Sequence, residues 1–246
     1  MFKSDAEMKP LNYVDVHIHL SDEEYVAKID EIVSEARKSN VVALVSNSMD
    51  LETSLRSLEL AEKYAGTVYA ALGVHPWSVN ALTEDQIHET CQLILKQQRN
   101  NAVVAIGEVG LDYKYAKIWD KQLMVFDEML RLAEKLDLPV IIHSRGTTSK
   151  IVEMLPSYRL KRVLLHWFSN PMSILPKVVA RARDGPVRYF KAPFNGKPTT
   201  PAFIPTVVRA AAEIKQVDVA DVAEQIIKNF EDFFQLKLNF NKRVSL

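Results

Sequence analysis

The run DVHIH places His17 and His19 two residues apart. On a strand, that spacing points both imidazoles to one face. Two neutral imidazoles side by side chelate a borderline cation such as Zn²⁺ or Mn²⁺, and Mg²⁺ less readily. Three more histidines end or follow apolar runs: His75 in LGVHPW, His143 in PVIIHSR and His166 in VLLHWF. Glu108 ends another such run, in AIGEVGLD. A carboxylate can bridge two cations, and two metals about 4 Å apart clamp a phosphoryl group and activate water between them. A lone His-x-His is as often a hydrogen-bonded core or surface pair. Four strand-end histidine sites with a strand-end glutamate tip the reading to a metal site. Only His88 lies elsewhere, on a helical stretch, and reads as a solvated residue.

These residues need a scaffold that gathers strand ends. Apolar, β-branched runs occur at 13–17, 41–46, 68–74, 102–107, 138–143 and 162–166. Helical periodicity fills the intervals. Ser21 with Glu24 reads as a capping box opening a helix that carries Tyr25, Val26, Ile29, Ile32, Val33 and Ala36 on one face. Leu51, Leu55, Leu58 and Ala61 stripe a second helix, with Gly66 at its C-terminal stop. Thr83 and Gln86 form another capping box before Ile87, Cys91, Ile94 and Leu95. Leu123, Phe126, Leu130 and Ala133 stripe a fourth helix. Val219, Val222, Ala223, Ile226, Ile227, Phe230 and Phe233 mark a strong amphipathic helix near the end.

Strands alternating with helices predict βαβ units and a parallel sheet. The 246 residues suit one (β/α)8 TIM-type barrel, taken as a single domain over 1–246. A doubly wound open sheet is the runner-up. No GxGxxG or GxxxxGK[ST] motif supports a dinucleotide or P-loop site. In a parallel barrel all strand C-termini share one face, and active sites sit there.

Composition narrows the class. Basic and acidic residues balance at 31 each, which excludes a protein that coats nucleic acid through bulk positive charge. Hydrophobic residues make up 48% of the chain, enough for one sizeable core. The single cysteine, Cys91, excludes an intrachain disulfide and a CxxC zinc site, and its place on an apolar stripe makes it a core residue. No run approaches the ~18 apolar residues of a membrane span, and no apolar stretch of signal-peptide length opens the chain. The expected setting is cytoplasmic, with no membrane partner.

DVHIHL, LGVHPW, AIGEVGLDY, PVIIHSR and LLHWFS resemble, in order, the signature blocks of the TatD-type metal-dependent deoxyribonucleases. These belong to the amidohydrolase-like TIM-barrel superfamily, and the resemblance runs from Tyr13 to about Phe234. It implies two divalent metal ions (Zn, Mn or Mg). His17 and His19 would hold one; Glu108 would bridge to a second, held by His143 and His166. The family's last ligand is an Asp in an ETD-[SGA]-P block. Here the matching fragment is Asp184-Gly185-Pro186, preceded by Arg181-Ala182-Arg183 rather than Glu-Thr. Asp184 would complete the metal site and take the proton of the attacking water. His75 corresponds to the substrate-side histidine near the scissile phosphate. Arg145 is placed to meet a phosphate, and Tyr113, Trp77, Trp167 and Phe168 to stack bases. Gly107 and Gly110 would let the backbone approach the metals.

The implied function is hydrolysis of DNA phosphodiester bonds by metal-activated water, as an exonuclease on single strands or chain ends. The rivals are a small-molecule amide, ester or lactone hydrolase on the same site, and a catalytically impaired or purely binding relic. The last follows from a gap. Eight βα units in about 250 residues take roughly 31 residues each, so two further units do not fit between His166 and Asp184. That interval reads as one helix, starting near Pro171, followed by a short strand at 187–190. The expectation is an incomplete barrel with about six clear parallel strands and exposed edges, hence low stability or self-association.

Overall fold

The computed structural model describes residues 10–97, 99–166 and 200–240. Asp184, Trp167, Phe168, the helix after Pro171 and the strand at 187–190 lie outside them. Among the described residues, six strands form one sheet in the order β1-β2-β3-β4-β5-β6, every neighbouring pair parallel. They are β1 (Tyr13–Ile18), β2 (Val41–Asn47), β3 (Val68–Leu72), β4 (Val103–Gly110), β5 (Val140–His143) and β6 (Val163–His166). Helices α1 (Ile29–Lys38), α2 (Leu51–Lys63), α3 (Glu84–Lys96), α4 (Trp119–Leu136) and α5 (Thr148–Met154) alternate with them. Two more, α6 (Ile204–Lys215) and α7 (Val219–Phe234), follow.

The sheet curls into a barrel. The His17 ring on β1 stacks on the His166 ring on β6, with centroids 3.4 Å apart and planes within 8°. The first and last strands, farthest apart in strand order, therefore meet at their C-terminal ends. Parallel strands buried on both faces need near-continuous apolar runs, and β4 is buried along its whole length.

Outside the barrel, Ile87, Cys91 and Ile94 of α3 and Phe126, Met129 and Leu130 of α4 pack with Leu72, Ile106, Val140 and Ile142. Helix α1 sets Ile29, Ile32, Val33 and Ala36 against Tyr13, Val41 and Leu44. The Thr83–Gln86 capping box caps α3 as the sequence indicates. Two local expectations change. Ser21 does not cap a helix: the Asp22 side chain accepts from the Glu24 amide and opens a 3-10 turn, Glu23–Lys28, and α1 begins only at Ile29. Helix α2 buries only part of its expected stripe: Ala61 is buried and Leu58 packs against the core, but Leu55 is 46% exposed. Its inner face is Ser54, Ser57, Leu60 and Ala61, and hydroxyl pairs Ser46–Ser57 at 2.9 Å and Ser48–Ser54 at 2.8 Å join it to β2 and the loop after it. Small paired hydroxyls bring helix and strand closer than leucines would, and the pairing satisfies groups that burial would otherwise penalise.

The inner face is filled from an unexpected direction. Ala43, Val45, Ala71 and Ile141 pack with Phe230 and Phe234 of α7 and with Leu238. By strand alternation these residues share a face with Asn47 and His143, opposite Leu44 and Ile142. The C-terminal helix thus fills the barrel interior beneath the histidines.

The glycines around Glu108 serve strand packing rather than approach to a metal. A Cβ on Gly110, where φ is +148°, would lie 2.2 Å from the His143 carbonyl oxygen. One on Gly107 would lie 2.9 Å from the Ile141 Cβ. They let β4 press against β5, and the β4–β5 register shifts between Ile106 and Val109, around Glu108. Such irregularities re-aim a side chain beside a site.

Candidate metal centre

Four imidazoles converge on one buried carboxylate. Glu108 Oε2 lies 3.2 Å from His17 Nε2, 3.1 Å from His19 Nε2 and 3.3 Å from His75 Nε2. Its Oε1 lies 3.1 Å from His143 Nδ1. His17 lies on β1 and Glu108 on β4, both irregular in register at these residues, and His19 follows directly after the end of β1. His143 ends β5, opposite His166 in the β5–β6 register. Burial by itself would push the Glu108 carboxyl up; the imidazoles, His17 foremost, hold it well below the usual carboxylate range.

The outer nitrogen of each ring decides what its inner nitrogen offers. His19 Nδ1 donates to the Asn47 carbonyl at 2.9 Å. His143 Nε2 donates to Asp112 Oδ2 at 2.8 Å. Neutral imidazole has one N–H, so His19 Nε2 and His143 Nδ1 aim lone pairs at Glu108. Lone pair against carboxylate at 3.1 Å is repulsive unless a proton or a cation lies between. Both ring nitrogens of His17 are buried without a hydrogen-bond partner; Nε2 is near Glu108 but not aligned for a bond. The chemistry of this set fits a divalent cation. His17, His19 and Glu108 have donor atoms close enough to hold one ion.

His75 is different. The Trp77 amide donates to its Nδ1 at 3.2 Å, which leaves Nε2 as the N–H. That N–H faces Glu108 Oε2 and lies 3.3 Å from His143 Nδ1. The distances among His75, Glu108 and His143 also permit an ion, but a protonated nitrogen is a donor, not a ligand. Burial lowers the His17 and His75 pKa values and takes His166 down to about 3. Burial also disfavours charge on His19, yet the Glu108 carboxylate and Asn47 carbonyl raise it overall. Neutral imidazoles are the metal-binding form.

Asp112, which the sequence reading passes over, is fully buried behind this cluster. Besides His143, its carboxylate accepts from Trp77 Nε1 at 2.7 Å and from Arg145 through Nε at 3.1 Å. Arg145 also pairs with Oδ2 at 2.7 Å, and the Lys114 amide donates to Oδ1 at 2.9 Å. Burial would raise its pKa, but Arg145, Trp77 and His143 together lower it. The signal available in sequence was its place four residues after Glu108, just past the glycine that ends β4. Arg145 is thus ion-paired and half exposed. Tyr113, 68% exposed, sits apart from the cluster, its ring 6.5 Å from Trp119. His88 is exposed and Cys91 buried, its thiol pKa raised by burial.

A family model described as TatD related DNase matches residues 14–183. The chain belongs to the TatD family. An uncharacterized metal-dependent hydrolase from Methanocaldococcus jannaschii is 27% identical, over 94% of this chain and 100% of its own length. Deoxyribonuclease TATDN3 from Homo sapiens is 34% identical over 65% of this chain and 62% of its own. The 3'-5' ssDNA/RNA exonuclease TatD of Edwardsiella piscicida is 27% identical over 64% of this chain and 60% of its own. A TatD homologue from Escherichia coli superposes with a TM-score of 0.81 at 24% identity, covering 92% of this chain and 98% of that one. A TatD-family chain is a metal-dependent hydrolase, and the matched span holds His17, His19, His75, Glu108, Asp112, His143 and His166. It stops one residue before Asp184.

Proposed function

We propose that this TatD-family hydrolase cleaves phosphodiester bonds in DNA, working as an exonuclease on single strands or chain ends. The observation that carries the reading is the pair of lone pairs, His19 Nε2 and His143 Nδ1, aimed at opposite oxygens of Glu108. Oε2 faces His17 and His19, and Oε1 faces His143; His166, opposite His143 in the sheet and stacked on the His17 ring, is the proposed further ligand of the second set. Two divalent cations (Zn, Mn or Mg) fit that division, and when bound they would supply Lewis acidity and water activation. Glu108 would hold both, one through each carboxylate oxygen. His75 presents Nε2–H to the same space and donates to a phosphoryl oxygen. Arg145, held by Asp112, turns its remaining N–H groups to the rim, where the next phosphate of a strand would lie. Asp184 is the proposed final ligand and proton acceptor. The deoxyribonuclease and exonuclease names of the human and Edwardsiella piscicida relatives favour DNA over amides, esters or lactones. A cytoplasmic setting is part of the proposal.

The test is metal-stimulated nucleotide release from a single-stranded oligonucleotide, run beside a lactone and ester panel. Hydrolysis of the strand that a chelator removes and Glu108→Gln abolishes supports the reading. Turnover of the panel alone would replace it with the small-molecule reading. Strand binding without cleavage in any of the three metals would make the chain a relic.

A further inference from the structure

Three groups at the mouth of the barrel lie outside the metal chemistry: Trp77, Tyr115 and Arg145. The indole stands against the cluster, 4.9 Å from the His75 ring and 5.8 Å from the His143 ring. Yet 45% of Trp77 and 40% of Tyr115 face solvent. Their rings lie 5.8 Å apart, and the Arg145 guanidinium sits 5.3 Å from one and 5.7 Å from the other.

Scattered exposed aromatics are ordinary. These are held in place. Trp77 is tied at Nε1 by Asp112 and at its amide by His75. The Tyr115 amide donates to the Asp112 carbonyl at 3.2 Å, and its own carbonyl accepts from Gln122 Nε2 at 2.8 Å. Arg145 is locked on the Asp112 carboxylate. The Asp112 carboxylate therefore fixes the Trp77 ring and the Arg145 cation and bonds to His143, while its carbonyl holds the backbone that carries Tyr115.

We propose that Trp77, Tyr115 and Arg145 form a nucleobase-stacking shelf, which takes an unpaired base of the nucleotide whose phosphate lies at Glu108. The proposal rests on the phosphodiesterase reading and names its substrate class: single-stranded nucleic acid, with the base as well as the phosphate engaged. A preformed ring platform suits a flat π-face and is tolerant of which base it is. A base inside a duplex has both faces covered by its neighbours, so it reaches such a shelf only at a frayed or unpaired end. A lactone or simple ester need carry no flat aromatic ring to place there.

The experiment uses the full-length protein in chelator, so binding is read apart from cleavage. Fluorescence anisotropy compares an octathymidylate, an abasic strand of equal length and charge, and a blunt duplex. The expected result is that the octathymidylate binds about tenfold tighter than the abasic strand, the lower part of the range for stacking one base. Trp77→Ala and Tyr115→Ala each remove most of that preference and leave abasic binding unchanged. Trp77→Phe keeps a ring but not the bond to Asp112 and retains part of it, which separates stacking from misfolding. Equal binding of octathymidylate and abasic strand by the wild-type protein, including no binding at all, overturns the shelf. So does an unchanged preference in both alanine variants. Base-dependent binding in a protein that cleaves no strand in any metal keeps the shelf and removes the nuclease reading; base-independent binding in an active nuclease does the reverse.

Discussion

Asp112 Oδ2 accepts the Nε2–H of His143 at 2.8 Å, on the side of the ring away from Glu108. The bond fixes the tautomer, so Nδ1 keeps its lone pair toward the cluster. Carboxylate partners of this kind orient metal-binding imidazoles and raise their basicity, and their loss costs about 10- to 100-fold in affinity. Asp112→Asn should therefore weaken binding of a divalent cation by that factor, measured by titration calorimetry. Nitrogen NMR of the metal-free protein should show His143 as the Nε2–H form, and a mixture in the variant. An Nδ1–H form in the wild-type protein would contradict the assignment.

Glu108 receives four imidazoles and can be removed without opening the sheet, because its side chain contributes charge rather than apolar packing. Glu108→Gln should lower bound metal, read by elemental analysis, and abolish metal-dependent hydrolysis. The far-UV circular dichroism should stay the same. A variant that digests DNA as well as the wild type would end the bridging role.

The buried histidines make metal-free stability depend on pH. His17, His75 and His166 have pKa values lowered by burial, His166 to about 3. The unfolded chain takes up these protons first as pH falls below about 6.5. Stability is then lost from about pH 6.5 downward, continuing toward 3 for His166. Glu108, also lowered, adds to the loss below its unfolded value of 4.5. His19, which is raised, opposes it. The melting temperature in chelator should fall steadily between pH 7 and 5. A rise over that interval would show that the imidazoles are charged in the fold.

Gly110 carries the close approach of β4 to β5. Gly110→Ala would drive a methyl to 2.2 Å from the His143 carbonyl oxygen at a positive φ. Overpacking of this kind typically costs about 1–3 kcal/mol, and the backbone conformation adds about 1–2 kcal/mol. Chemical denaturation should register the sum, and because His143 moves with its carbonyl, metal affinity should fall too. A fully stable variant would mean that β5 yields without cost.

Phe230, buried to 3% exposure, fills the barrel interior from α7. Phe230→Ala should cost about 3–5 kcal/mol, as large aromatic truncations in cores do. The loss should appear as a lowered denaturation midpoint with strands β2 to β5 less protected in hydrogen exchange. A loss below about 1 kcal/mol would show that the helix only rests on the sheet.

The strands, their parallel sense and the shared rim were legible in the sequence. Each strand buried on both faces has to be a short apolar run, and every run except the one at 41–46 ended at or just before a residue of a metal-binding type. Spacing alone placed His17, His19, Glu108 and His143 on one rim, since parallel strands with helical crossovers leave no other arrangement for their C-termini. The shortage of residues after His166 was equally plain, because a βα unit has a minimum length. The helix starts were less so: Asp22 and Ser21 are both good caps, and only the turn geometry chooses between them. The inner face of α2 went to serines because hydroxyl pairs allow an approach that the leucine stripe does not reveal. What remained for the tertiary structure was pairwise. Nothing local in the chain says that Asp112 touches His143, Trp77 and Arg145 at once, or that the Trp77 amide makes His75 Nε2 a donor while the Asn47 carbonyl leaves His19 Nε2 a lone pair. The same holds for Phe230 entering the barrel: an amphipathic helix declares an apolar face, but which face of the sheet receives it is settled by the space left where the six strands curl round and His17 meets His166.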